Sequence, residues 1–132
     1  MRLPNTLFIS HTSLDDAFIK GADGQSPFGH PGSICWMCSE HFPDPFYHSL
    51  RTGAAEAYEC VVGLALLAAT RVLAIWSKNA WRSDYVRAEL LVAIEANRKI
   101  AAYIAPDTPA FPLDGVRTVY NHQALDSLLS TW

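Results

Sequence analysis

Apolar positions in this chain alternate between two spacings. Compact runs such as Leu7-Phe-Ile-Ser10, Ile34-Cys-Trp-Met-Cys38, Arg71-Val-Leu-Ala-Ile-Trp76 and Ile100-Ala-Ala-Tyr-Ile104 read as short strands buried on both faces. Val116 to Tyr120 reads as a fifth strand. Between them, apolar residues recur every three or four positions, the mark of a helix face. Leu14 to about Lys20, Thr52 to Ala69, Ser83 to Asn97, and a terminal stretch from Asn121 or His122 to about Ser130 fit that spacing. In the third of these, Val86, Leu90, Ala93, Ile94 and Asn97 share a face, and Glu95 with Lys99 makes an i, i+4 pair outside it.

Gly and Pro punctuate the rest. Gly21 to Gly32 carries four Gly and two Pro and is a loop, as is the proline-broken run from Ser39 to Phe46. Strands alternating with helices predict an α/β fold with a parallel sheet covered on both faces. With right-handed crossovers the leading topology is a flavodoxin-like three-layer sandwich, five strands in the order 2-1-3-4-5. The 132 residues make one domain, 1–132.

Composition narrows the function. Half of the residues are hydrophobic and 17% are charged, with 10 Lys and Arg against 13 Asp and Glu, a formal charge of -3. There is no basic stripe, so no direct nucleic-acid partner is expected. Arg71 interrupts the most apolar stretch, Cys60 to Trp76, which is also shorter than the roughly 20 residues a membrane span needs. No signal peptide precedes the first strand, and three cysteines are an odd number for a disulfide scaffold. A reduced, cytoplasmic protein without a membrane partner is the expectation.

Cys35, Cys38, His41 and His48 invite a metal test. On a strand, residues three apart face opposite sides, so no metal is expected there. A redox CxxC would need a helix N-terminus to lower its thiol pKa.

The stretch Ser77-Lys-Asn-Ala-Trp-Arg-Ser-Asp-Tyr-Val-Arg-Ala-Glu89 carries the most chemistry. It follows a strand and opens a helix, and the carboxyl ends of strands are where open α/β sheets hold ligands. Tyr85 and Glu89 lie four apart on one helix face, so a ring and a carboxylate can address one ligand. Plainer readings stand beside these: Glu89 as a solvated acid near a helix start, Tyr85 as a partly buried aromatic, Ser13 as an N-cap. Trp76 reads as core, while Trp81 borders the same crevice.

Three pieces of the chain resemble a bacterial-type Toll/interleukin-receptor (TIR) domain. Leu7-Phe-Ile-Ser-His-Thr-Ser-Leu-Asp-Asp16 is similar to the family's first strand and loop. Arg71 to Ser77 resembles its central strand, and Ser83-Asp-Tyr-Val-Arg-Ala-Glu-Leu90 resembles Ser, x, Trp, three residues, Glu-Leu. Tyr85 stands where the family most often has Trp, and the loop after the second strand lacks the usual Asp-x-x-x-Pro-Gly.

The resemblance implies an NAD+ nucleohydrolase or cyclase that cleaves the nicotinamide–ribose bond, acting as an immune effector switched on by self-assembly. It implies Glu89 as the catalytic carboxylate, with Ser10, His11, Thr12, Ser13, Ser77, Trp81 and Tyr85 toward the substrate. NAD+ is then a substrate, and no cofactor is implied. Partners would be other TIR domains and a sensor domain or protein in cis or trans. Two alternatives follow from related folds: a non-catalytic homotypic adaptor, and a nucleoside deoxyribosyltransferase-like enzyme with a Glu nucleophile.

Overall fold

A computed structural model describes residues 6–15, 19, 34–42, 45–47, 64–106 and 108–132. Its elements are β1 (Leu7–Ser10), α1 (Ile34–His41), β2 (Phe46–Tyr47), β3 (Arg71–Trp76), α2 (Lys78–Trp81), α3 (Asp84–Glu95), β4 (Lys99–Ile104), β5 (Arg117–Val119) and α4 (His122–Thr131). A 3-10 turn covers Ser13–Asp15, and residues 64–68 are helical. All strand pairings are parallel: β1 with β2 and β3, β3 with β4, and β4 with β5. This is an α/β protein built on a parallel sheet.

Alternation along the strands sorts side chains to two faces. Leu7, Ile9, Leu73, Ile75, Ala101, Tyr103 and Val119 pack with Ile34, Met37 and Cys38 of α1 and with Leu125, Leu128 and Leu129 of α4. On the opposite face, Ala74, Trp76, Ala102 and Ile104 meet Ala80 of α2 and Val86 and Leu90 of α3. Phe8 and Val72 meet Leu66, Ala69 and Ala93 on that same face. Both faces are therefore covered, as a parallel sheet requires. Among the described residues no helix is long and apolar enough to cross a membrane.

The segment Ile34–Cys38 is not a strand; it lies within α1. Ile34, Met37, Cys38 and Phe42 are all buried in one cluster, and their three-and-four spacing is that of a helix face. A short apolar run with no polar interruptions fits either period, and length alone could not arbitrate. The second strand comes later, at Phe46–Tyr47, where Phe46 stacks on Phe8 with ring centroids 5.5 Å apart. Strand geometry thus no longer separates Cys35 from Cys38. Among the described residues, no group of three His, Cys, Asp or Glu stands close enough to hold a metal ion.

Helix α3 is framed by its own sequence. Ser83 is the N-cap, its Oγ accepting from the Val86 amide at 3.3 Å, and Asp84 adds negative charge to the first turn. At the other end Asn97 adopts φ 57°, and the Asn97 and Arg98 amides donate to the carbonyls of Ile94 and Ala93. That is a Schellman motif with Asn in the left-handed position. It ends the helix at Glu95 and releases Lys99 into β4, so Glu95 and Lys99 do not share a helix as their spacing suggested. The helices expected at Leu14 to about Lys20 and at Thr52 to Ala69 lie mostly outside the described residues. Ile19 and residues 64–68 are helical within them.

Candidate functional site

The carboxyl ends of β1 and β3 lie side by side, Ser10 in register with Ala74. Each strand feeds a turn of helix, and the two turns are bolted together by one carboxylate. Asp15, only 7% exposed, accepts from Ser77 Oγ at 2.5 Å and from Asn79 Nδ2 at 2.9 Å. Ser77 Oγ in turn accepts from the Ala80 amide at 3.0 Å, which caps α2. Asp15 itself is held in place, its amide donating to the Thr12 carbonyl at 3.0 Å. Hydrogen bonds to an ionised acceptor are shorter and stronger than neutral ones, so this clamp sets the spacing of the two loops.

Above the clamp runs a groove of about 360 Å³ lined by Thr12, Leu14, Asn79, Arg82, Ser83, Asp84 and Tyr85. Thr12 and Leu14 come from the loop after β1, and the others come from α2, the linker and the first turn of α3. Leu14 and Tyr85 are 74% and 63% exposed, an apolar side chain and an aromatic ring offered to solvent from two different elements. Arg82 supplies a cation, and Thr12 and Ser83 supply hydroxyls.

Other polar groups at the end of β1 and on α3 are buried and do not line the groove. Ser10 and His11 at the end of β1 are 0% and 1% exposed. His11 Nδ1 lies 3.2 Å from the Thr12 carbonyl. Ser10 Oγ has no hydrogen-bond partner among the described residues. Glu89 is 5% exposed and sits in the second turn of α3.

Helix geometry explains why Tyr85 and Glu89 differ in depth. At about 100° per residue, Glu89 is turned about 40° closer than Tyr85 to the sheet-facing line through Val86. Tyr85 also belongs to the first turn, at the carboxyl rim of the sheet. Ala93, next on the flank of Glu89, packs against Phe8 of β1 and Val72 of β3. Glu89 therefore lies on the β1 flank of the helix, on the side of the strand that ends in Ser10.

The sequence-predicted residues divide accordingly. Thr12 and Tyr85 line the groove, Ser10, His11 and Glu89 are buried, and the side chain of Ser13 lies outside the described set. Ser77 is engaged on both lone pair and proton by Ala80 and Asp15, which makes it a groove-builder. Trp81 is 44% exposed and stands edge-on to Trp76 at 6.0 Å. Trp76 is core, its Nε1 donating to the Pro109 carbonyl at 3.1 Å.

Six residues of the site escaped the sequence reading: the clamp Asp15 and the groove-lining Leu14, Asn79, Arg82, Ser83 and Asp84. Asp15 stood only within the run that resembles the first strand and loop, with nothing to mark it as the clamp. Asn79 and Arg82 carried no signal beyond lying in the Ser77–Glu89 stretch. No protein-family model, curated protein or solved structure matches the chain.

Proposed function

We propose that this chain is a TIR-like NAD+ nucleohydrolase or cyclase with Glu89 as its catalytic carboxylate. The observation that carries the reading is the burial of Glu89, 5% exposed, on the helix whose first turn borders the groove. Carboxylates are seldom buried without a task, and a helix-start acid with a merely electrostatic role belongs in solvent. The fold side of the proposal is the flavodoxin-like three-layer sandwich with five parallel strands. Pairings in the order β2-β1-β3-β4-β5 support that topology. In that order the chain reverses direction of travel between β1 and β3, and ligands of open α/β sheets bind at such a switch point. The groove lies there.

The chemistry asks little of the protein. As the nicotinamide–ribose bond breaks, its electron pair goes to the pyridinium nitrogen, and nicotinamide leaves neutral with no proton supplied. The ribose carbon acquires oxocarbenium character, which a carboxylate held in a low-dielectric pocket stabilises more than one in water does. Water or an internal hydroxyl then adds and loses its proton, giving ADP-ribose or a cyclic form. Tyr85 offers a face to a flat ring, and the Thr12 hydroxyl on the groove wall borders the sugar or phosphates. On this reading no cofactor is needed, the protein works in the cytoplasm as an immune effector, and its partners are further TIR domains and a sensor.

The test is incubation of concentrated protein with NAD+, with products separated by chromatography, beside Glu89→Gln. The substitution keeps size and removes charge. We expect nicotinamide release by the native chain and a fall of at least about 100-fold in the variant, the usual cost of losing a catalytic electrostatic group. Equal turnover by both proteins, or none by the native chain at any concentration, refutes the reading. The adaptor alternative retains one supporting observation, the exposed apolar residues Leu91, Val92 and Ile94 on α3.

A further inference from the structure

The outer face of α3 is built to meet itself. Asp84, Arg87, Ala88, Leu91, Ile94 and Glu95 recur at spacings of three and four and form one stripe centred on Leu91, about 140° around the helix from Val86; Ile94, expected on the Val86 face, is 42% exposed at the stripe's edge. Leu91 is 62% exposed and Ile94 42%, which leaves two large aliphatic side chains in water at the middle of a helix. Arg87 and Asp84 at one end have side chains 55% and 97% exposed, and Glu95 at the other is exposed as well.

From this stripe we infer that α3 pairs antiparallel with α3 of a second copy, around a two-fold axis at Leu91. Charge decides the occupant and the direction. About that axis, positions equally far from Leu91 face each other. Arg87 comes opposite Glu95 of the second copy, and Glu95 opposite its Arg87. Ala88 comes opposite Ile94, so a small side chain receives a large one on each side of the axis. Leu91 meets Leu91. In a parallel pairing Arg87 would face Arg87 and Glu95 would face Glu95, which like-charge repulsion disfavours. Asp84 faces no residue of α3 in the second copy, because the helix ends at Glu95. Within one chain Arg87 Nη2 donates to the Trp81 carbonyl at 2.5 Å, while Nη1 makes only a loose 4.0 Å contact with Asp84, so Nη1 is the group that can meet Glu95 of the second copy.

An isologous contact counts every pair twice. A single 12-residue helix crossing is small, below the ~1,200 Å² of a standard interface, so the dimer is weak and concentration-dependent. The inference deepens the self-association named in the proposed function, and because it uses neither the groove nor Glu89, the dimer and the NAD+ chemistry stand or fail separately.

Sedimentation equilibrium of the full chain tests it, with circular dichroism confirming that each variant folds. The native chain should show a monomer–dimer equilibrium that weakens with salt. Leu91→Asp should abolish it. Arg87→Glu and Glu95→Arg should each raise the dissociation constant by about tenfold or more, because each places two like-charge pairs across the axis. The double variant, Arg87→Glu with Glu95→Arg, should return to within about threefold of native. Positions 87 and 95 are two turns apart on one helix, so rescue requires a second copy. A chain that stays monomeric at every concentration overturns the inference. So do single charge reversals that dimerise like the native chain, or a double variant no better than the singles.

Discussion

Replacing Asp15 by Ala tests the clamp on which the site's geometry depends. Two side-chain hydrogen bonds to the carboxylate disappear, from Ser77 Oγ and Asn79 Nδ2. Bonds to a charged acceptor contribute about 1.5–3 kcal/mol each where they are buried. Only the Ser77 bond is buried; Asn79 is exposed and regains water, so its share is small. Ser77 keeps its bond from the Ala80 amide, which limits the damage to the α2 cap. Relief of the desolvated carboxylate offsets a part. The net loss should be about 1–2 kcal/mol, or roughly 4–7 °C in melting temperature for a domain of this size. Urea unfolding followed by circular dichroism measures it, with an unchanged slope showing that the denatured state is unaltered. Combining Asp15→Ala with Ser77→Ala should cost at least about 1 kcal/mol less than the two separate losses added together, since both remove one bond. A loss below about 0.5 kcal/mol, or strict additivity of the pair, would show that the clamp stabilises nothing.

Two further outcomes rest on local chemistry. His122 Nδ1 lies 3.0 Å from the Tyr103 hydroxyl, and burial lowers the imidazole pKa while it raises that of the phenol. The folded state thus prefers neutral His122, so its contribution is complete above about pH 6.5 and is lost as pH falls through the lower folded value. His122→Gln should flatten the native decline of unfolding free energy in that acid window; an unchanged difference between the two proteins from pH 8 to pH 5 speaks against it. Asn97, at φ 57°, should tolerate Gly within about 0.5 kcal/mol but lose about 1 kcal/mol as Ala, because a Cβ lacking a local hydrogen-bonding group is strained there. Thermal melts of the two variants in parallel decide it, and Ala equal to Gly would contradict the Schellman assignment.

Legibility in the sequence followed the strength of the local signal. Strands β1, β3 and β4 were readable because apolar runs between turn residues mark fully buried strands, and α3 and α4 because their periodic faces follow good caps. Asn121 does accept from the Ala124 amide at 2.8 Å. Ile34-Cys-Trp-Met-Cys38 misled because every position is apolar or small and no period emerges from five such residues. Phe46–Tyr47 was hidden because a two-residue strand beside prolines has no pattern at all. The site divides along a similar line. Spacing gave the shared flank of Tyr85 and Glu89, but not the depth of either, which depends on where the helix starts relative to the sheet rim. Asp15 could not be read as a clamp, because its partner Ser77 is 62 positions away and only the pairing of β1 with β3 unites them.

The carboxyl end of β3 is held from both sides. On the β1 side, Asp15 grips Ser77 and Asn79. Toward β4, the Trp76 indole donates to the Pro109 carbonyl, Phe111 packs edge-on to Trp76 at 5.1 Å, and the Ala105 amide donates to the Trp76 carbonyl at 2.8 Å. These bonds engage polar groups that a bound ligand would otherwise have to reorganise. A site that stabilises developing charge works only if its dipoles are set beforehand, since reorganising them during the reaction would consume the gain. At the rim of this sheet the clamp, the Trp76 indole and the Trp76 carbonyl are satisfied internally, while Leu14, Arg82 and Tyr85 line an open groove. Burial of Glu89 below that rim is what turns a braced edge into a candidate for chemistry, since a carboxylate in solvent would gain nothing from the bracing.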